Sequence, residues 1–598
     1  MTGISSRVFS GSGVSRGLVP ALVAALMAGT ALGPARAAEP GMAGTYLAAI
    51  HAEAIGDVAS SARLFGDALS HDPENLSLLE RALTHQIAAG NVPRGIELAS
   101  KLEAIKPGHH LGVLALASGR LKAGDPAAAA AQLDGQMPFV GQIMAAWARF
   151  GDGEVQGAVE SLIKLAISEA NGRPGQILAA YHLGLMQAAA GDDESAVDAF
   201  EQATELSDGG TLKLAALHAG ALARLGRVDE AQTVIEKRLA GSYGGAPLIE
   251  LSRQIAEGAR PAPEITTASE GAAEVLFGVS GLLARGQNRL IALGYSRLAT
   301  WLSPELGEAQ LLVAQILHDS EQFDQAIAAY RAVPANSPES INAEIGLANA
   351  LQQAGREEAA LNAMQAVIER YPDALEAHTA QGDMLRREER FAEAASSYDR
   401  AIALIGKDAG KQYWPLYFQR GVAFERSKQW KRAEADFRRA LELEPDQPDV
   451  LNYLGYSWVD RGENLDEAER MIRTAVEQRP DDGYIVDSLG WVLFRFGEFD
   501  KAAEQLERAV ELLPVDPVIN DHYGDVLWMI GRRTEARFQW KRALSFEPEE
   551  DEAERIRAKL SKGLDAVLAA EEKDGLPGIV SRQADNEQLT EKASQNGG

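Results

Sequence analysis

Residues 483–514 read GYIVDSLGWVLFRFGEFDKAAEQLERAVELLP. Gly490, Ala502 and Ala509 are small, Leu506 is large, Gly497-Glu498 interrupts the apolar period, and Pro514 ends it. This is the pattern of two antiparallel helices. The bare backbone at Gly490 admits a neighbour, Ala502 and Ala509 face it, and Leu506 fills the space between. Asp500 is the expected cap of the second helix, and Asp516-Pro517 opens the next unit with a cap and a first-turn proline.

The pattern repeats. Gly490 to Gly524, Ala502 to Ala536, Ala509 to Ala543 and Pro514 to Pro548 are each steps of 34 residues. Ala468, Ala475 and Pro480 lie one such step earlier, while Gly455 to Gly490 is 35, which places a one-residue insertion in the turn near Gly462–Leu465. The register runs back through Gly421, Gly382, Ala348 and Ala314, with extra chain around Gly406–Gln412. A weaker copy occupies the N-terminal half, in Leu183-Gly184, Ala196, Phe200 and Ala203 and in Phe65, Ala68 and Pro73. The repeat boundaries within 113–175 and 213–250 stay open. A 34-residue helix–turn–helix period with this spacing resembles the tetratricopeptide repeat. The resemblance implies an all-α superhelical solenoid of about fourteen units. No unit buries its apolar stripe alone, so stability comes from stacking on neighbours.

At the N-terminus, Arg7 and Arg16 precede an uncharged apolar run, Leu18 to Leu32, followed by Ala35-Arg36-Ala37. These are the three parts of a secretory signal peptide, so residues 1–37 are expected to be removed and the chain delivered to the periplasm. The remainder divides into a degenerate arm at 38–256, a linker or bend at 257–271 marked by Gly258, Pro261 and Pro263, and a regular arm at 272–550. A capping helix at 551–570 and a disordered tail at 571–598 complete the expected organisation.

The chain has 598 residues, a net charge of −28 and no cysteine. That charge is wrong for following phosphates, so no nucleic-acid partner is expected. Without cysteine there is no disulfide scaffold, thiolate nucleophile, Cys-based zinc site or lipid carried on a cysteine. No stretch after the leader is long and apolar enough to span a bilayer. The ten histidines are scattered, with no His pair at zinc-protease spacing, and no glycine-rich phosphate loop is present. Asp487-Ser488 and Asp521-His522 are equivalent repeat positions rather than parts of a triad. No enzyme activity, cofactor or metal is expected.

What remains is a surface. In such repeats the first helix of each unit lines the concave face, mainly through unit positions 2, 5, 9 and 12. Counting from Gly483 and Pro517, those positions hold Tyr484, Asp487, Trp491 and Phe494, then Val518, Asp521, Asp525 and Trp528. The preceding unit adds Asp449, Asn452 and Tyr456. An aromatic and acidic groove is therefore expected, with Arg495 beside it, suited to a basic or neutral peptide segment. The repeats that clamp a C-terminal carboxylate carry Lys, Arg and Asn where this chain has Asn452, Asp487 and Asp521, which speaks against that mode.

The stretches Leu451–Tyr456, Asp481–Trp491 and Asp516–His522 with Gly524-Asp525 are similar to a proteobacterial envelope family of long tetratricopeptide proteins. That family includes a lipoprotein adaptor of a periplasmic carboxyl-terminal processing protease. The resemblance implies a non-catalytic adaptor or scaffold, bringing substrates to such a protease in cell-envelope maintenance. A cysteine lipid anchor does not carry over, because the chain has none. The alternatives are a scaffold for polysaccharide or outer-membrane assembly, or a helical-solenoid cell-wall hydrolase.

Overall fold

In a computed structural model, residues 42–134, 139–240, 245–286, 288–406, 410–573 and 579 are described. The leader expected at 1–37 lies outside them, as does most of the tail. Among the described residues there is no strand, and helices follow one another in antiparallel pairs. Two compact units result, the larger running to Arg390 with Ala403–Gly406, the smaller comprising Phe391–Ile402 and the chain from Lys407.

The close approach inferred at Gly490 recurs unit after unit. A Cβ there would lie 2.5 Å from Leu506 Cγ. At Gly524 it would lie 2.5 Å from Trp540, at Gly421 2.6 Å from Phe437, and at Gly184 2.5 Å from Phe200. At Gly455 it would lie 2.9 Å from Ile472. The large residue changes identity while the contact stays, because glycine leaves room for any of them against the backbone. Ala502, Ala509, Ala536 and Ala543 are fully buried on the facing helices.

Helix starts follow the sequence, with one correction. Asp516 caps Pro517–Met529 by accepting from the Val518 and Ile519 amides at 2.9 and 3.0 Å. Asp500 does not cap its helix. Phe499–Leu512 starts one residue before it, with Glu498 at the cap position and no side-chain cap bond, so Asp500 sits inside the first turn. The inserted residue near 462 is visible as a double left-handed turn, Gly462 at φ 69° and Asn464 at φ 46°, joining Pro448–Arg461 to Leu465–Gln478.

In the larger unit, residues 259–266 form a stretch without regular secondary structure that ends where Thr267 and Glu270 build a capping box. The stretch lies inside this unit, because the chain turns back after it. Helix Ala268–Ala284 packs on Val140–Gly151, His110–Lys122 and Gly172–Ala189, and helix Arg289–Leu302 packs on Leu76–Ala88 and His110–Lys122. These are all first helices of their units, so the returning hairpin occupies the inner face of the N-terminal repeats. Gly271 sits directly on the indole of Trp147, where no side chain fits.

Two polar groups fix that packing. Trp147 Nε1 donates to His182 Nδ1 at 3.1 Å, and burial lowers the His182 pKa to about 3, so the imidazole is neutral. Lys213 Nζ reaches Glu274, Glu264 and Glu308 at 3.0, 3.1 and 3.0 Å, joining the 259–266 stretch to helices Leu212–Arg224, Ala268–Ala284 and Gly307–Asp319. The Tyr181 hydroxyl donates to Glu274 at 2.7 Å.

The expected single capping helix is two helices, Glu550–Lys562 and Leu564–Lys573, broken at Gly563 with φ 85°. Glu571–Lys573, expected to begin the tail, belong to the second of these helices. Ile579 lies beside the Gly497 turn, its Cγ2 3.6 Å from the position of a Gly497 Cβ.

Candidate functional site

In the smaller unit the first helices Pro448–Arg461, Gly483–Arg495 and Pro517–Met529 stack side by side, followed by Glu550–Lys562 in the same register. Equivalent positions therefore form ladders across the inner face. Position 5 carries Asn452, Asp487, Asp521 and then Arg555; position 9 carries Tyr456, Trp491, Asp525 and then Lys559.

The acids in these ladders are not free. Lys559 Nζ lies 2.6 Å from both Asp521 Oδ2 and Asp525 Oδ1, and Arg555 Nη1 lies 3.2 Å from Asp525 Oδ2. Trp540 Nε1 adds a third donor to Asp525 at 2.8 Å. Lys559 and Asp525 are both 0 % exposed. Burial pushes the Asp525 carboxyl up, but Lys559 and Arg555 outweigh it and hold the pKa below the usual carboxylate range. Asp487 accepts from His522 Nδ1 at 3.0 Å. Burial lowers the His522 pKa, and Asp487 more than offsets it, so the imidazole titrates above its ordinary value. The expectation of an open acidic groove is thereby corrected at Asp487, Asp521 and Asp525. Each is buried and paired with a cation or imidazole one repeat further along.

The aromatics divide in the same way. Trp491 is buried between His522 and Phe494, with ring centroids at 4.1 and 4.8 Å, so it is a packing residue of the stack. Trp528 is half-buried, and its Nε1 donates to Asp565 at 3.0 Å. Tyr484 is half-buried in the first turn of its helix. Tyr456 is half-buried too, and its hydroxyl pKa is raised by burial and then by Asp460 and Asp487.

One group on this face has no counterpart. The Arg495 side chain is 6 % exposed, yet its Nε and Nη2 have no hydrogen-bond partner. Burial lowers its pKa, partly offset by Asp460 and Tyr456. Trp491 Nε1 and Asn452 Oδ1 on the same helices are also buried without partners. Arg555 and Lys559, which the sequence reading missed, carry a clear signal: they lie 34 residues after Asp521 and Asp525.

Ser488 Oγ donates to the Tyr484 carbonyl at 3.0 Å rather than to His522, so no relay exists. His109, which stands next to His110, accepts from the Gly112 amide at 3.2 Å and is a helix cap. Among the described residues no cluster of three metal-ligating side chains occurs, and no helix is long and apolar enough to cross a membrane.

The tetratricopeptide repeat family matches residues 345–409, 414–447, 459–517 and 488–551. A tetratricopeptide-repeat-containing protein of Pseudomonas aeruginosa is 29 % identical over 148 residues, covering 20 % of this chain and 25 % of that protein. The chain thus spans about a quarter of the length of that relative. Among solved structures, the Cut9–Hcn1 hetero-tetramer of the APC/C is similar with a TM-score of 0.38 at 14 % identity, covering 87 % of this chain and 96 % of that one. Yeast Tom70 is similar with a TM-score of 0.32 at 15 % identity, covering 73 % and 91 %. The architecture is a helical-repeat scaffold of the tetratricopeptide type, a fold suited to protein–protein interaction.

Proposed function

We propose that this protein is an exported, non-catalytic adaptor of the periplasm that binds protein segments and delivers substrates to a carboxyl-terminal processing protease. Export rests on the leader-like residues 1–37, and the adaptor role on the resemblance carried by Leu451–Tyr456, Asp481–Trp491 and Asp516–Asp525. The tetratricopeptide repeats support protein binding in general.

The observation that carries the binding reading is Arg495. A buried guanidinium with two unsatisfied nitrogens costs free energy until acceptors reach it. Both nitrogens are closed off in the unbound chain, so a partner engages them by opening the inner face locally; backbone carbonyls or carboxylates of an extended segment would then supply the acceptors, with Tyr456 giving contact area alongside. The partner chemistry differs from a basic segment drawn to Asp487, Asp521 and Asp525, because those carboxylates are neutralised within the chain.

Pull-down from periplasmic extract with the full chain and with Arg495→Gln tests this. The wild-type chain should recover a carboxyl-terminal processing protease together with substrates, and the variant should recover substrates at least tenfold less well, with a melting temperature no lower than that of the wild type. Recovery of an assembly complex without a protease, or equal recovery by the variant, would overturn the reading.

A further inference from the structure

The smaller unit covers part of its own inner face. After Gly563, helix Leu564–Lys573 doubles back along Glu550–Lys562. Asp565 in its first turn accepts from Trp528 Nε1 at 3.0 Å, and Glu571 near its end accepts from Arg555 Nε at 2.6 Å. Trp528 and Arg555 hold unit positions 12 and 5 of successive first helices, so the returning helix lies against inner-face positions. Six residues beyond Lys573, Ile579 is half-buried beside the Gly497 turn, and Gly497 stands two residues after Arg495. The C-terminal segment thus travels the stack in reverse, and it delivers whatever follows Ile579 to the end of the helix that carries Arg495.

The donors at that end lack acceptors. Arg495 Nε and Nη2 and, one turn earlier, Trp491 Nε1 are buried without a hydrogen-bond partner. Asp460, exposed on the neighbouring first helix, acts on Arg495 through its field and bonds neither nitrogen. Arg555 and Lys559, further along the same face, are already taken by Asp521, Asp525 and Glu571. Of these three cations, Arg495 is the one left for an incoming carboxylate.

Residues 580–591 read VSRQADNEQLTE, which sets Asp585, Glu587 and Glu591 against Arg582. Asp585 and Glu587 stand six and eight residues beyond Ile579, which at ~3.3 Å per residue gives a reach of ~20 and ~26 Å. Gly497 and Arg495 are separated by at most ~7 Å of chain. Reach is therefore ample. A segment tethered this closely has an effective concentration on the order of millimolar. Each time the inner face opens at Arg495, the chain's own carboxylates arrive ahead of a dilute partner.

We propose that residues 580–591 are a built-in competitor for the Arg495 face, their carboxylates meeting the guanidinium whenever the face opens, so that a partner segment binds by displacing them. This rests on the reading of Arg495 as a partner-binding group and adds its regulation. The C-terminal residues set how strongly a partner must bind before it is held.

A fluorescently labelled peptide of residues 580–591 is titrated against the full chain and followed by anisotropy. A full chain carrying Asp585→Asn, Glu587→Gln and Glu591→Gln should bind the peptide at least tenfold more tightly than the wild type, whose own tethered copy competes. Adding Arg495→Gln to the neutralised chain should remove at least tenfold of that binding, with a melting temperature no lower than before. A peptide with the same three neutral substitutions should bind the neutralised chain at least tenfold more weakly than the acidic one. Equal binding by the wild-type and neutralised chains, binding by neither, or binding retained with Arg495→Gln would overturn the proposal. The periplasmic pull-down reads a different molecule. Its failure beside a positive peptide titration would remove the protease partner and leave the competitor, whereas a successful pull-down beside equal peptide binding would remove the competitor alone.

Discussion

Lys559 Nζ lies 2.6 Å from Asp525 Oδ1, and the two residues are 34 apart, one repeat. Helix Glu550–Lys562 thus repeats the geometry of the unit before it but inverts its charge. Asp521 faces Arg555 and Asp525 faces Lys559, so the carboxylates are closed off by the chain's own next step. The stack ends where acids that would otherwise face the following unit meet cations.

Lys559→Met is expected to destabilise the last repeat by ~3–5 kcal/mol, because it leaves Asp521 and Asp525 buried against each other. Combining it with Asp525→Leu should recover much of the loss, as an apolar replacement of a buried pair often does. Chemical denaturation followed through Trp540, which donates to Asp525, reads both changes. For the same reason Asp487→Lys with Asp521→Lys is expected to unfold the last repeats, because both carboxylates are buried against partners.

The two units should respond oppositely to pH near neutrality. His522 has a raised pKa in the folded state, so its contribution is fully present below ~6.5 and is lost as pH rises through the folded value. His182 has a folded pKa of about 3. Its neutral form is the one buried, so the larger unit loses stability as pH falls below ~6.5, by at most ~1.4 kcal/mol per pH unit. Hydrogen exchange at pH 5 and pH 8 should show the helix Gly483–Arg495 better protected at the lower pH and Gly172–Ala189 better protected at the higher. Equal changes in both would contradict the assignment.

Gly490→Leu should destabilise its repeat by roughly 1–3 kcal/mol through overpacking against Leu506. In a stack of nearest-neighbour contacts the loss stays local. Hydrogen-exchange protection should fall in residues 448–545 and stay unchanged in residues 45–250.

Lys213→Ala removes the cation shared by Glu264, Glu274 and Glu308. Limited proteolysis should then cut residues 259–266 faster than in the wild type, because Glu264 loses its tie to the helices. Lys213→Arg should restore much of the resistance. Equal cleavage of Lys213→Ala and wild type would show that burial of Ile265 alone holds the stretch.

Protein recovered from a periplasmic fraction should begin at or within a few residues of Ala38. Intact Met1 on a cytoplasmic pool would remove the leader reading and the periplasmic role with it.

The amino-acid sequence by itself determined the repeat. The glycine of the first helix, the large residue of the second and the terminal proline recur in phase, because each helix crossing imposes the same steric demand. The same periodicity located the inserted residue beside Gly462 and the capped start at Asp516. Helix starts without a capping side chain were less legible, as at Asp500, where Glu498 and Phe499 set the boundary through backbone bonds alone. Which inner-face residues are free was decided only by the tertiary structure. A position count shows that Asp487, Asp521 and Asp525 share a face, but not that His522, Arg555 and Lys559 reach them from the adjacent helices. Nor does the local pattern show that residues 259–266 let Ala268–Ala284 return onto Trp147, covering the inner face of the N-terminal repeats. Periodicity records contacts between neighbours in sequence; exposure depends on what distant segments place on top of them.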